Sequence, residues 1–481
     1  MAIESGFKHG VAYNEIPTRI VAPITTANPV LAIGTAPIHS ASNPAPVNEP
    51  VLCSSFSEFV SQFGWSDDFD KYTLCEAAYV TFQLFNVSPL ICVNVLDPAT
   101  HNKTGTKTLN VAGTAPIKIT TPIILSTLVI KSGEQTLVAG TDYSAAYDDG
   151  VLVLEIKKRN KITNDSVTLT YKEVDTSLIT TAEIIGGVDA ETGKSRGIEC
   201  IEDVYPKLAM VPGCLIAPKY STDSEVAAIM KSKVVSINGC FNAICAVDLD
   251  TATVIKYTDC NAVKNNNNLV DNNTLVCWPQ VNLGEKKYHL STQAAALMCQ
   301  VDYEQGSNIP YVSPSNHNIQ CNGACLKDGT PIYLSKAQAN YLNGIGIVTA
   351  LNFSGGWKLW GNRTAIQPSS TDPKDVFLCV RRMIQYLGNS LVLTYFAKTD
   401  APLNKRLITT ITDSVQIWLN GLAAQGAILG GEISFDEEDN ALTDLIDGHI
   451  RFHLNVGFVV PAEYIQFDLE FDTDYLKTLF S

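Results

Sequence analysis

The stretch GGWKLWGNRTA, residues 355–365, concentrates residue types that can do chemistry. It holds two tryptophans, a lysine, an arginine and an asparagine among three glycines. Arg363 could hydrogen-bond carbonyls or a carboxylate, but no general base, metal-ligand cluster or phosphate loop accompanies it. The alternation within WKLW predicts a short strand or turn. We therefore expect a packed structural corner made by Trp357, Trp360 and Arg363, without a catalytic role.

A second stretch, GGVDAETGKSRG at 186–197, resembles a phosphate-binding loop. Such a loop needs a glycine, four residues and then Gly-Lys-Ser/Thr, because consecutive backbone amides surround the phosphate. Counting back five residues from Gly193 gives Val188 rather than Gly187, so the spacing fails by one. No helix is predicted to begin at Lys194. A surface loop is the prediction here.

The remaining candidate sites are a histidine pair, a cysteine and an acidic run. His449 and His453 have the spacing of zinc ligands on a helix, but the alternation around them predicts a strand, along which they lie about 13 Å apart. Cys240 could be displayed on a turn, although a core position is favoured. Residues 436–439, DEED, lack the glycine and the spacing of a calcium loop. We predict no catalytic, cofactor-binding or metal-binding residues.

The composition limits the classes of function. The chain has 481 residues, enough for about two to four domains. A net charge of −15 argues against coating nucleic acid and against adhesion to anionic membranes. Thirteen cysteines without a Cys-x-x-Cys pair predict reduced, mostly buried thiols in a protein made in a cytoplasm. Neither a signal peptide nor a membrane-spanning apolar run is predicted.

The elements that must position these residues predict a multidomain α/β (α+β) chain. Strands alternate with helices before residue 99 and after residue 181, which indicates a mostly parallel sheet. Short β-branched runs separated by turns indicate a β-sandwich inserted between them. The predicted parts are an extended N-terminal arm (1–25), the N-terminal part of the α/β body (26–99), the inserted β-sandwich (100–178), the α/β middle domain (179–354), an α+β C-terminal domain (355–460) and a C-terminal arm (461–481).

Periodicity and capping residues predict individual elements within this scheme. Asp223 or Ser224 could cap one helix, and Ser291 or Thr292 lies near the predicted start of another. Helices are expected at 56–63, 223–237, 291–306, 373–387 and 402–422, and strands at 208–218, 241–249, 274–281 and 448–460.

The clearest strand signal lies near the C-terminus, at 462–472. Ile465, Phe467, Leu469 and Phe471 alternate strictly with polar and acidic residues. Such a strand would leave an unpaired edge exposed in a monomer, but it could be donated to another chain. We therefore predict that it pairs with neighbouring copies.

Motifs along much of the chain resemble the contractile tail sheath proteins of myovirus-type phages and R-type bacteriocins. The similarity covers roughly 26–97 and 181–472, and the order and spacing of the motifs carry it. These motifs are VLAIGTAP, IIGGVDAETGKSRGIECIEDV, LVCWPQV, STQAAALMCQVDYEQGSNIPYVSPSN, GWKLWGNRTA, VRRMIQY and PAEYIQFDLEFD.

The resemblance implies a structural protein without enzymatic activity or cofactors. Such sheaths stack as hexameric rings around a tail tube, between a baseplate and a tail terminator, and contract to drive the tube through a cell envelope. The implied location is a virion tail or bacteriocin particle assembled in the bacterial host cytoplasm. A subtilisin-like fold without a triad is implied for 179–354, as are terminal arms that reach neighbouring subunits. The expected inter-subunit strands contain Gly10, Val11, Ala12, Tyr13, Ile16, Ile465, Phe467, Leu469 and Phe471.

Two alternatives stay open, a subtilisin-like hydrolase with extra domains and a self-assembling shell that does not contract. A hydrolase needs Ser, His and Asp within reach of one another. For a sheath, the tube-facing surface should be polar and charged, because the sheath must slide off the tube. Lys398, Lys405 and Arg406 flank the start of the 402–422 helix and form a basic patch on an acidic chain. We expect this helix end to face the tube; the alternative is a solvated helix end.

Overall fold

The computed structural model describes residues 28–480 except Thr114, Asp149 and Ser307. Within this part of the chain, one compact unit comprises residues 393–457, and a larger one comprises 28–392 together with 458–480. The predicted N-terminal strand containing Gly10 lies outside the described residues. The bounds of the six predicted parts remain a prediction.

The larger unit begins with three strands, of which the second and third flank a helical segment. The first helix starts after Ser55, whose side chain accepts a hydrogen bond from Glu58 N at 3.2 Å. Phe59 and Phe63 of this helix are fully buried, as their spacing predicted. These elements are β1 (Val30–Gly34), β2 (Val51–Cys53), α1 (Phe56–Phe63), α2 (Thr73–Ala78) and β3 (Leu90–Asn94).

The next segment forms two antiparallel sheets around a shared core, which is the predicted β-sandwich architecture. Its strands are β4 (Asn102–Asn110), β5 (Ile117–Ile119), β6 (Val129–Ser132), β7 (Gln135–Thr136), β8 (Tyr143–Asp148), β9 (Val151–Ile156) and β10 (Ser166–Val174). One sheet has the order β4-β10-β6-β7 and the other β5-β9-β8. Leu152, Leu154 and Leu169 are fully buried between them.

The chain then alternates strands and helices. Its elements are α3 (Thr181–Ile185), β11 (Gly187–Val188), β12 (Ser195–Arg196), α4 (Val204–Leu208), β13 (Cys214–Ile216), α5 (Ser224–Lys233), β14 (Ile244–Asp248), α6 (Cys260–Asn266), β15 (Thr274–Cys277), β16 (Gln280–Leu283), β17 (Lys286–Tyr288), α7 (Leu290–Glu304), β18 (Gly323–Cys325), β19 (Pro331–Ile332), α8 (Lys336–Gly344), β20 (Ile347–Asn352) and β21 (Trp357–Trp360).

An eight-stranded sheet is the centre of the larger unit. Its order is β2-β3-β1-β13-β14-β15-β20-β21. The six inner strands are parallel, whereas β2 and β21 pair antiparallel at the two ends. Every residue of β1, β3, β13, β14 and β15 is buried, which is typical of parallel strands covered on both faces. The mixed α/β fold class is thus confirmed.

Several predicted elements of the larger unit differ from the structure. The strand expected at 208–218 is only β13, because Leu208 ends α4 and Ala209 adopts a left-handed conformation with φ of 53°. Helix α7 begins before Ser291, whose hydroxyl binds a buried carboxylate instead of capping the helix. The helix expected at 373–387 is interrupted at Phe377 and extends beyond the predicted end.

The last elements include those of the smaller unit. They are α9 (Pro373–Val376), α10 (Leu378–Tyr395), α11 (Lys405–Ala424), β22 (Ile428–Ser434), α12 (Leu442–Ile446) and β23 (His453–Phe458). Within the described residues, strands β22 and β23 pair with each other, and α11 packs beside β22. The strand predicted at 448–460 starts only at His453, because Arg451 N and Arg451 O bond to the side chain of Asn440 instead of a ladder.

Candidate functional site

Among the described residues, the C-terminal segment, residues 461–472, exposes a row of large apolar side chains. Ile465 is 68% exposed, Phe467 84%, Leu469 97% and Phe471 79%. The predicted strand is not formed within the single chain, because a strand needs a hydrogen-bonding partner and none pairs with this segment in the described residues. Between the apolar side chains lie Gln466, Asp468, Glu470 and Asp472. In an extended conformation the segment would therefore have one apolar and one mainly acidic face.

The start of this segment is bound by an ion pair between Arg363 and Glu463. Arg363 Nε donates to Glu463 Oε1 at 2.8 Å, and Nη2 donates to Oε2 at 2.5 Å. This two-bond geometry fits a guanidinium to a carboxylate. Hydrogen bonds from Arg363 lower the pKa of Glu463. The sequence indicated a carboxylate as a possible partner of this arginine but not which one.

The tryptophan-rich corner forms β21, the antiparallel end strand of the large sheet. Leu359 is fully buried, whereas Trp357 and Trp360 are only partly buried. The backbone of residues 316–319 covers the outer side of β21, with Leu359 N donating to His317 O at 3.0 Å. The central buried residue of this corner is the leucine, and the structural role of Trp357, Trp360 and Arg363 stays a prediction.

The predicted basic patch lies in the smaller unit. Lys398 ends a short 3-10 turn, and Lys405 and Arg406 occupy the first turn of α11. Asn404 caps this helix by accepting a hydrogen bond from Leu407 N at 3.0 Å. Lys405 and Arg406 are exposed, and none of the three cations forms an ion pair within the described residues. Their contact with a tube stays a prediction.

A buried polar cluster lies beside the ends of β14 and α2, where sequence reasoning found no site. His289 is 8% exposed and Glu76 1%. The imidazole Nδ1 lies 2.8 Å from Glu76 Oε2, and Nε2 lies 3.2 Å from the side-chain amide group of Gln280, whose oxygen can accept from a doubly protonated ring. Burial lowers the pKa of His289. The negative charge and hydrogen bond of Glu76, together with the charge of Asp248, have a larger effect and raise the pKa to about 9. The imidazole is therefore charged at neutral pH.

This cluster lacks the arrangement of a hydrolase. Ser291 Oγ donates to Asp248 Oδ2, and Ser221 Oγ lies 3.5 Å from the same oxygen. A nucleophilic serine must instead bond to a neutral imidazole. Ser291 is fully buried, and Asp248 and His289 line a cavity of about 20 Å³, room for one water molecule. The cluster connects α2, β14 and α7 and has no access for a peptide.

The phosphate-loop candidate is a surface hairpin formed by β11 and β12. Asp189 and Arg196 form an ion pair across it. Residues 193–197, Gly-Lys-Ser-Arg-Gly, also have the pattern of a nucleophile elbow, which sequence reasoning missed. Ser195 begins the two-residue strand β12 rather than a strand-to-helix turn, and no hydrogen bond joins it to a histidine in the described residues.

The cysteines are free thiols, and ten of the thirteen are buried, as predicted. Cys240, by contrast, is exposed. The prediction of a core position for it was wrong, since Asn238 and Gly239 adopt positive φ and turn the chain outward before Phe241 returns to the core. Among residues 28–480, apart from the three undescribed positions, no helix is long and apolar enough to cross a membrane. The same residues contain no cluster of three metal-ligating side chains.

Comparisons with known proteins agree on one class. No protein-family model matches the chain. The chain is 30% identical over 464 residues to the tail sheath protein of Burkholderia phage BcepMu, covering 93% of each. It is 26% identical over 300 residues to a putative prophage major tail sheath protein of Pseudomonas aeruginosa, covering 61% of this chain and 73% of that protein.

A solved structure shares the fold. It is a cryo-EM structure of an extracellular contractile injection system, the PVC sheath complex in the contracted state. Its subunit matches with a TM-score of 0.59 and 14% identity, over 98% of this chain and 100% of that chain. The arrangement of strands and helices described above is therefore a sheath fold.

Proposed function

Because this chain belongs to the family of phage tail sheath proteins, we propose that it polymerises as stacked hexameric rings around a tail tube and contracts to drive that tube through a target envelope. The chain is a structural subunit of a contractile tail sheath rather than an enzyme. Its location is a virion tail or a related contractile particle. Assembly in the host cytoplasm, between a baseplate and a tail terminator, is part of the proposal.

The exposed apolar row of the C-terminal segment is the observation that supports polymerisation. Ile465, Phe467, Leu469 and Phe471 are each more than two-thirds exposed. Burial of one such side chain contributes about 1.5–3 kcal/mol, so a single chain leaves a large stabilisation unused. A neighbouring copy that accepts the segment as a strand would supply both the burial and the backbone hydrogen bonds.

The two-stranded sheet of the smaller unit is the proposed acceptor. The described part of this sheet has two strands, and a sheet gains stability from further strands. Leu454 and Val456 of β23 are partly buried, and Leu429 of β22 is 76% exposed. We place residues 462–472 of one neighbour here, and the segment containing Gly10, Val11, Ala12, Tyr13 and Ile16 pairs similarly. These strands persist during contraction while other interfaces repack.

The start of α11 is the proposed tube-facing surface. The first turn of a helix carries partial positive charge, so cations there disfavour the helix by about 0.3–1 kcal/mol. Lys405 and Arg406 occupy this turn, and an acidic partner would offset the cost. Polar contacts of this kind are screened by salt and can be broken during sliding.

Electron microscopy of truncated chains tests the proposal. A chain that ends at Pro461 lacks the apolar row and should form no sleeves on tubes, whereas a control ending at Asp472 keeps the row and should form them. The full-length sleeves should shorten and widen when triggered. Sleeves from the chain ending at Pro461 would contradict strand donation. Sleeves that never change their dimensions would identify a non-contractile shell.

A further inference from the structure

The start of the C-terminal segment is held in place by several contacts. Arg363, which binds Glu463 at the start of the segment, is itself held from several sides. Its Nη1 donates to Gln367 Oε1 at 3.0 Å, and its guanidinium carbon lies 5.2 Å from the centre of the Phe377 ring. The backbone of Arg363 also bridges to that of Phe377. The arginine is thus preorganised before it meets Glu463, which lies 100 positions away in the chain.

Pairing of the C-terminal segment with a strand of its own chain would compete with polymerisation. Strand β23 ends at Phe458, and the alternating segment begins at Tyr464, so only residues 459–463 separate them. Connections of two to about five residues commonly join antiparallel strands into hairpins. The segment could therefore fold back on β23 of its own chain. A short linker gives an effective concentration in the millimolar range, roughly a thousandfold above micromolar subunits.

We propose that the ion pair between Arg363 and Glu463 prevents this self-closure and keeps the C-terminal segment open for a neighbouring copy. A hairpin would place Glu463 in the turn after β23. The two-bond contact instead fixes the position and direction of its carboxylate on the larger unit. This inference rests on the proposed strand donation and assigns to Arg363 the role of a positioning residue.

The exposure of the segment agrees with this role. Beyond Glu463, Ile465, Phe467 and Leu469 are 68–97% exposed, and the segment forms no strand in the described chain. Pro461 lies two positions before Glu463, lacks an N–H donor and has a restricted φ. It therefore disfavours strand hydrogen bonds within residues 459–463. The segment can be donated to a neighbouring copy only if its pairing with β23 of its own chain is disfavoured.

Hydrogen exchange on dilute, unassembled full-length chain tests the role directly. In the native sequence, residues 464–471 should exchange without protection. Arg363→Ala should slow their exchange at least about tenfold and raise the critical concentration for sleeve formation at least about tenfold, as intramolecular pairing competes. The exchanged pair Arg363→Glu with Glu463→Arg should restore both values. Lys374→Ala, which removes an exposed lysine paired with neighbouring aspartates, is the control and should change neither.

Several outcomes would overturn the inference. They are an unprotected segment in Arg363→Ala, an unchanged critical concentration, an equal defect in Lys374→Ala, or failure of the exchanged pair to restore the native values. A contact that served only the stability of the larger unit would lower its melting temperature without protecting 464–471. Failure of strand donation itself is distinguishable, since sleeves would then form from the chain ending at Pro461. If that chain forms none while Arg363→Ala assembles normally, donation stands and the positioning role is wrong.

Discussion

His289 and Glu76 lie 213 positions apart in the sequence, yet Nδ1 of the imidazole lies 2.8 Å from Oε2 of the carboxylate. The backbone N–H of His289 also donates to Glu76 Oε1 at 2.7 Å. Both side chains are buried. The pair joins α2 to the start of α7, so it connects the segment before the β-sandwich to the segment after it.

Removal of one member of this pair should destabilise the larger unit strongly. Glu76→Ala leaves a buried imidazolium without its counter-ion, and breaking a buried pair in this way costs about 3–5 kcal/mol. Urea denaturation at pH 7 measures the loss. Lys71→Ala, which breaks an exposed ion pair with Asp68, serves as the control and should cost less than about 1 kcal/mol. Equal losses in the two variants would contradict the importance of burial.

The same pair predicts a pH dependence. The pKa of His289 is raised from 6.5 to about 9, so the folded chain retains a proton that the unfolded chain releases between these values. The contribution to stability is complete below pH 6.5 and is lost as the pH rises through 9. It amounts to about 3 kcal/mol from the size of the shift. The stability difference between the native chain and His289→Gln should therefore shrink from about pH 6 to about pH 10, and a constant difference would refute this.

At the tryptophan-rich corner, the largest effect should come from the leucine. Leu359 is fully buried, so Leu359→Ala should cost about 2–5 kcal/mol. Trp360 is only partly buried, so Trp360→Ala should cost less than the roughly 3–5 kcal/mol of a fully buried ring. Denaturation midpoints of the two variants give the order. A larger loss for Trp360→Ala would show that the ring, and not the leucine, holds the corner.

The β-sandwich should be removable. Asn102 and Val174 are cross-strand partners, so their Cα atoms lie about 5 Å apart and a two-residue turn can join them. Replacing 103–173 by Gly-Ser should leave the remaining unit folded and able to form sleeves, as judged by circular dichroism and microscopy. Tyr147→Ala is the control, because it removes the ring contact with His39 at 5.5 Å and a hydrogen bond inside the β-sandwich but keeps the rest of the β-sandwich. It shows how much of any defect comes from losing that contact alone. Aggregation of the shortened chain alone would contradict an independent module.

Charge reversal at the start of α11 should weaken binding to tubes. Lys405→Glu with Arg406→Glu removes the basic patch, and we expect fewer sleeves on tubes and a weaker dependence of binding on salt. Co-sedimentation with purified tubes measures this. Lys336→Glu reverses a lysine at the first position of α8 and so controls for the helix dipole. Unchanged co-sedimentation of the double variant would exclude this surface as the tube contact.

Local patterns in the sequence predicted many elements correctly. The spacing of Phe56, Phe59 and Phe63 indicated a helix with its apolar face buried, and Asp223 caps α5 by accepting from Glu225 N at 2.9 Å. These features depend on neighbours within a few residues, so the sequence suffices to predict them. One of the failures involves a distant partner. The hydroxyl of Ser291 binds Asp248 rather than capping a helix, and no local pattern reveals that contact.

The amino-acid sequence by itself determined the alternation of Ile465, Phe467, Leu469 and Phe471 and the presence of an arginine suited to a carboxylate. Only the tertiary structure decided that Arg363 binds Glu463 and that the apolar row stays exposed. The physical reason is that periodicity fixes which side chains share a face, whereas the partner of that face depends on chain segments a hundred or more residues away. The same reason applies to His289 and Glu76, whose pairing exists only once the large sheet has brought α2 and α7 together.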